Sequence, residues 1–348
     1  MIRIYDDTKI YVQCPGDIVT GGAELLHQLV SYLRDNGKDA YIVYFGKNRN
    51  VPEAYEEYNI EVAPEIEDSP HNISVLYEIL FYQALESTKI QKVLWWMSVD
   101  NFYLCGSYYL SFRDLFKWDV KKAFRTLFAR IYHNYIKRDN LYLKYPISLK
   151  QLSKVDAVSA YQSEYAQNHL YNNGFKELVP LKDYINLEHC SRFKKEGRQN
   201  IVLYNPKKGI EFTKKLIKAA PDIKWVPIIN MTREQVKLIM QQAKVYIDFG
   251  NHPGKDRLPR ECAMNGLCVI TGSRGSAGFF EDVWLERKYK FDESVDSISN
   301  ILNTIRFVLE NYETAIEDFA FYRARISEEK LEFEKQISDI FIKNVNSL

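Results

Sequence analysis

A chain of 348 residues is longer than one hydrophobic core usually fills, so two domains are expected. With 47 Lys and Arg against 46 Asp and Glu, the net charge of +1 says nothing about nucleic acid, and none is expected as a partner. Five cysteines, an odd number with no Cys-x-x-Cys spacing, argue against a disulfide framework or a structural zinc site. The start, MIRIYDDTKIYVQ, carries no apolar leader, and no apolar run reaches the roughly 18–20 residues of a membrane span. The expectation is therefore a cytoplasmic protein.

Strand-like runs alternate with helical patterns, which predicts an α/β protein with parallel sheets. Strands are expected at Lys9–Cys14, Asp39–Phe45, Ile73–Glu78, Lys92–Val99 and Val155–Ala160, and a helix over Ala23–Asp35, where Leu25, Leu26, Leu29, Val30 and Leu33 share a face. Residues 107–138 read as one long aromatic and basic helical region. Asp183–Gln199 is charged and weakly patterned and is expected to link the domains. A second alternating set follows, with strands at Asn200–Tyr204, Lys224–Ile229, Val245–Gly250 and Leu267–Thr271, and helices at Gly209–Ala219, from Thr232 to Ala243, and at Leu258–Asn265. Thr232 with Gln235 predicts a capping box. The domain boundaries expected are 1–183, 184–320 and a C-terminal helix over 321–348.

Ligands of parallel sheets bind outside the carboxyl ends of the strands, so the loops there carry the candidates. In PGDIVTGGAE (Pro15–Glu24), Gly21 and Gly22 open a helix, where amides and the helix dipole favour an anion; the alternative is a plain turn. In YNPKKGIEF (Tyr204–Phe212), Lys207 and Lys208 precede a helix and suit a diphosphate, or are two solvated lysines. The densest stretch, Asp248–Gly278, brings His252, Arg257, Arg260 and Glu261 together with the glycine-rich turn around Gly275 and Ser276. Arg257 and Arg260 suit phosphate, Glu261 suits the two hydroxyls of a ribose, and the turn offers amides. Past the strand holding Trp95 and Trp96, Asp100 is placed as a base facing the acceptor, or as a turn residue. The tandem tryptophans can be core on one face and stack on a sugar on the other, with core packing favoured for at least one. No grouping has metal-ligand spacing, so no metal is expected. Between Arg113 and Lys144, nine Lys and Arg stand against three Asp among many aromatics. A basic amphipathic segment over 111–138 can lie on an anionic bilayer, or pack on its own domain.

These loops, in this order, resemble the GT-B glycosyltransferases, especially the retaining, glycogen-synthase-like group. GGAE (Gly21–Glu24) resembles that family's first-loop Gly-Gly-x-Glu. KKG (Lys207–Gly209) resembles its lysine-glycine motif. RECAMNGLCVIT (Arg260–Thr271) resembles its Glu-Ala-Met-Ala-x-Gly-x-Pro-Val-Ile segment. The sequence departs from the family at Pro253, where a second glutamate stands; at Leu203, where an arginine stands; and at Cys268, where a proline stands. HPGKDRLPRE and WWMSVDN resemble a divergent bacterial branch tied to capsule and surface polysaccharide.

The resemblance implies two Rossmann-like domains facing each other across a cleft, with the C-terminal helix packing back on the first. It implies transfer of a sugar from a UDP- or GDP-sugar to the hydroxyl of a glycan or lipid-linked glycan, at the inner face of the membrane or free in the cytoplasm. Lys208, with Gly21, Gly22, Gly275 and Ser276, would hold the diphosphate without a metal, Glu261 the ribose, and Asp100 the acceptor proton. Lys207, His252, Arg257 and Arg260 complete the donor set. Two alternatives stay open: a GT-B sugar-nucleotide epimerase or hydrolase, and a non-catalytic GT-B partner subunit.

Overall fold

The computed structural model describes residues 2–16, 18–46, 49–139, 141–187, 190 and 193–343. It contains two compact units. One runs through Gln162 and over Ala166–Lys182 and resumes at Phe333; the other takes Ser163–Tyr165 and Asp183–Glu332. Part of the expected linker, residues 188, 189, 191 and 192, lies outside the described residues, as does Asp17 of the first loop.

In the first unit, β1 (Lys9–Pro15), α1 (Gly21–Asp35), β2 (Asp39–Phe45), β3 (Ile73–Tyr77) and β4 (Gln91–Trp96) follow the expected order. Then come α2 (Val99–Cys105), α3 (Phe112–Trp118), α4 (Val120–Ile131), the short α5 (Leu149–Leu152), β5 (Val158–Tyr161), α6 (Glu164–Asn172) and β6 (Leu178–Pro180). The six strands form one parallel sheet in the order β2-β1-β3-β4-β5-β6. β3 is buried at every residue, as a strand covered on both faces must be.

The long helical region is not continuous. Asp119 adopts an extended backbone (φ −150°), ends α3, and caps α4 by accepting the Lys122 N–H at 2.9 Å. A π-helical turn at Tyr132–Lys137 then closes at Arg138, which has φ +58°. For the tryptophan pair the core alternative holds at both positions. Trp95 and Trp96 are both fully buried, Trp95 donating Nε1–H to the Leu181 carbonyl and Trp96 packing on Phe81 and Phe102. Neither has a face left for a sugar.

The second unit holds β7 (Gln199–Tyr204), α7 (Ile210–Ala219), β8 (Lys224–Pro227), α8 (Arg233–Gln242), β9 (Ala243–Asp248), α9 (Arg257–Met264), β10 (Cys268–Gly272) and β11 (Lys290–Phe291). The Thr232–Gln235 capping box is present. The parallel order is β11-β10-β9-β7-β8. Its core joins the central strands to α10 (Ile298–Glu310), the short α11 (Tyr312–Ala315) and the start of α12 (Ala320–Ile337). The end of α12 belongs to the first unit, where the Phe333 ring lies 6.4 Å from that of Trp95 and Gln336 accepts the Lys182 N–H at 2.7 Å. β6 and β11, three and two residues long, were too short to show an alternating pattern.

Candidate functional site

Each sheet reverses its strand order once. In the second unit the chain goes from β7 outward to β8, then returns to the other side of β7 with β9. The loops after β7 and β9 therefore flank a switch point, where open α/β sheets take ligands. Two glycines bring these loops into contact. Gly209 has φ +60°, and a Cβ there would lie 2.1 Å from the Phe249 carbonyl oxygen; a Cβ on Gly250 would lie 2.6 Å from the Gly209 nitrogen. Only glycine at both positions permits this approach.

The approach sets Lys208 among residues of the β9–α9 loop. Its ammonium donates to Asp256, lies 3.1 Å from Asp248 Oδ1, and lies 3.3 Å from His252 Nδ1. Asp248, Asp256 and His252 offer one ligand atom each within 4.8 Å of one another, so a cation is suited to this spot, and the Lys208 ammonium provides one. His252 is completely buried, with Nε2 3.2 Å from the Asp248 carbonyl and Nδ1 2.9 Å from Asp256. Burial pushes the pKa of Asp248 up from its ordinary value, against the pull of Lys208. Burial acts the same way on Asp256, but hydrogen bonding from His252 and the charge of Lys208 outweigh it and leave its pKa lowered.

The other candidates in this unit divide. Gly275 (φ +64°) and Ser276 lock the turn after β10 to the β9–α9 loop. The Ser276 N–H donates to the His252 carbonyl at 2.9 Å, and its hydroxyl to Gly254 O at 2.5 Å. That amide is already used, and so is not available to a phosphate. Arg260 is sealed inside the unit, donating to Asp183 at 2.7 Å and to Glu329 at 2.8 Å, with Lys255 on the other Glu329 oxygen at 2.9 Å. Its guanidinium serves a buried ion network rather than an open phosphate site. Lys207 is exposed; Arg257 and Glu261 are half-exposed on α9, one turn apart.

In the first unit the order reverses at β1, between β2 and β3. Gly21 and Gly22 begin α1 after β1, with the Thr20 hydroxyl accepting the Ala23 N–H at 3.3 Å. A methyl on Gly22 would meet only Met97 Cε, at 3.8 Å, so packing there does not require glycine. Asp100 lies in the first turn of α2 and is 2% exposed, buried where the expectation had it facing an acceptor. The residue that follows β3 at the reversal is Glu78. Its carboxyl is buried, accepts the Met97 N–H at 3.3 Å, and is pushed up to about 8 by loss of water.

The sequence assigned no role to Asp248 or to Asp256, which stands in the same charged loop as His252 and Arg257, and it gave Glu78 only low weight as a site residue. The signal available was position: Asp248 ends β9 and Glu78 follows β3, each at the carboxyl edge of a strand beside a switch point.

Two all-parallel Rossmann-like sheets in these strand orders give the chain the GT-B fold. Sucrose-phosphate synthase from Thermosynechococcus elongatus matches it with a TM-score of 0.62 at 11% identity, over 96% of this chain and 98% of that one. Anabaena HepE, solved in complex with UDP, matches with a TM-score of 0.59 at 11% identity, over 95% and 98%. WaaG, a glycosyltransferase involved in lipopolysaccharide biosynthesis, matches with a TM-score of 0.53 at 10% identity, over 96% and 100%. At these identities the likeness is one of fold. No protein-family model matches the sequence, and no curated protein matches it. Among the described residues no helix is long and apolar enough to cross a membrane.

Proposed function

We propose that this protein is a glycosyltransferase that moves a sugar from a UDP- or GDP-sugar to the hydroxyl of a glycan or lipid-linked glycan, without a metal, in the synthesis of bacterial capsule or surface polysaccharide. The observation that carries the reading is Lys208, held between two glycine-locked loops at the switch point of the second unit, beside the start of α9. In this reading a diphosphate takes the ammonium from Asp256, and the start of α9 adds its dipole. Glu261 holds the ribose, while Arg257 and Lys207 flank the phosphates. Arg260, Gly275 and Ser276 shape the site from beneath. Gly21 and Gly22 allow close approach to the amides that begin α1. Asp100 has no part in this reading, because its carboxylate is buried. The glycosyl C–O bond to the diphosphate breaks, the acceptor oxygen forms the new C–O bond, and the acceptor proton leaves with the nucleoside diphosphate.

The HepE complexes with UDP and with UDP-glucose support a nucleotide-sugar donor in this fold. The test is a thermal-shift panel of nucleotide sugars, followed by an assay of nucleoside diphosphate release with and without glycan acceptors, in the presence and absence of chelator. The reading expects a shift with one donor, abolished in Lys208→Ala, and release that needs an acceptor and survives chelation. Equal release without acceptor would move the assignment to a hydrolase, and no shift with any donor would remove it.

A further inference from the structure

In α4 the usual orientation of an amphipathic helix is reversed. A helix that stabilises its own domain turns its apolar stripe to the core. Here the fully buried positions of α4 are small or polar, and Leu127 is half-buried. Ala123 and Thr126 are buried, Lys122 donates to the Leu104 carbonyl at 2.9 Å, and Arg130 donates to the Leu110 carbonyl at 2.9 Å. The apolar stripe faces outward. Val120, Phe124, Phe128 and Ile131 recur at helical spacing, and the π-helical turn extends the stripe with Tyr135 and Ile136. Phe128, Tyr135 and Ile136 are 68%, 67% and 69% exposed. On the outer side Phe112, Phe116 and Phe124 pack on one another, with ring centroids 5.5–6.2 Å apart, and so join α3 to the same surface.

Cations surround this stripe. Arg113, Lys117, Lys121, Arg125, Arg138 and Lys144 are exposed, and none makes an ion pair among the described residues. The nearby acids are already used. Asp114 is buried, Asp119 caps α4, and Asp139 is paired with Lys137 and His133. The face is thus apolar at its centre and positive at its rim. A bilayer with anionic headgroups has the complementary pattern, hydrocarbon beneath negative charge.

We propose that the α3–α4 face, continued through the π-helical turn, is a membrane-docking surface that inserts Phe128, Tyr135 and Ile136 below the headgroups of an anionic bilayer while its lysines and arginines meet the lipid phosphates. The proposal rests on the first unit alone and stands apart from the donor site.

The test uses the full chain and cosedimentation with phosphatidylcholine vesicles, with and without phosphatidylglycerol. Binding is expected to the anionic vesicles only and to weaken with salt. Each cation reversed among Lys117→Glu, Lys121→Glu and Arg125→Glu should lower the partition coefficient about fivefold. Phe128→Asp with Tyr135→Asp should lower it at least about tenfold. Both sets of substitutions lie on solvent-facing positions, so melting temperature and nucleotide affinity should stay as in the wild type. As an independent readout, Phe128→Trp should gain blue-shifted emission on anionic vesicles. Failure to bind anionic vesicles, equal binding by the variants, or unshifted Trp emission overturns the proposal. So does a concentration-dependent dimer, broken by the Asp variant, in protein that ignores vesicles.

Discussion

Asp256 stands at the N-cap of α9 but gives its carboxylate to Lys208 and His252 rather than to the helix it precedes. The Asp256 side chain therefore does not cap α9, whose start lies next to a lysine already held at the end of the sheet. In the proposed donor reading an arriving diphosphate finds that lysine in place, and Asp256 is the group it must displace.

Removing the lysine tests this arrangement. Lys208→Ala should weaken nucleoside diphosphate binding by about 1.5–3 kcal/mol, the range for a hydrogen bond to a charged group, or roughly 10- to 150-fold in Kd. Asp248 also loses its nearest cation, so the variant should melt below wild type. Calorimetric titration with UDP and GDP, well below the melting temperature, separates the two effects. An unchanged Kd would count against the donor site.

The glycines divide into two classes with opposite expectations. At Gly209 an added methyl meets the Phe249 carbonyl with φ already positive, so Gly209→Ala should cost about 1–3 kcal/mol of stability and move Lys208 off its partners. At Gly22 the methyl meets only ordinary contact inside a helix, so Gly22→Ala should leave stability unchanged or raise it by about 0.4–1 kcal/mol. If Gly22 is kept small for ligand approach, the same variant should lose transfer activity while folding well. Urea melts run beside a transfer assay check both. An active, stable Gly22→Ala would return that loop to a plain turn.

Much of this was legible in the sequence. Apolar runs ending in Gly or charged residues placed the central strands, and KKG placed Lys208 at a helix start. What the sequence could not show was pairing at a distance. Arg260 sits in the charged stretch DRLPRE and reads as a phosphate ligand. Its partners, Asp183 and Glu329, lie 77 residues before it and 69 after. Nor does the sequence show that Asp256 pairs with Lys208, 48 residues before it. The periodicity of α4 was visible too, but not that its apolar stripe faces outward.

The Arg260 network makes a separate prediction. Asp183 is buried, yet the charges of Arg260 and Lys255 outweigh the cost of burial and hold its pKa below the ordinary value. Arg260→Ala takes the guanidinium from buried Asp183 and from one oxygen of Glu329, leaving only Lys255 nearby, which should destabilise the second unit by about 3–5 kcal/mol. If Arg260 is structural, nucleotide affinity measured on the folded fraction should change little. A variant with wild-type stability and a large loss of affinity would return Arg260 to the phosphate site.

Glu78 gives a prediction whose sign depends on pH. In the unfolded chain a glutamate titrates near 4.3, whereas burial pushes the folded carboxyl up to about 8. Between these values the folded protein holds a proton that the unfolded chain has released. Stability from this group therefore falls as pH rises through the window and levels off above about 8. Glu78→Gln keeps an oxygen to accept the Met97 N–H and removes the titration. The variant should match wild type near pH 5 and exceed it increasingly toward pH 8, in urea melts at fixed ionic strength. Parallel stability curves across that range would show that the carboxyl is not neutral in the fold. The contrast would then lie in how water reaches the end of β3, the edge where the first sheet reverses its strand order.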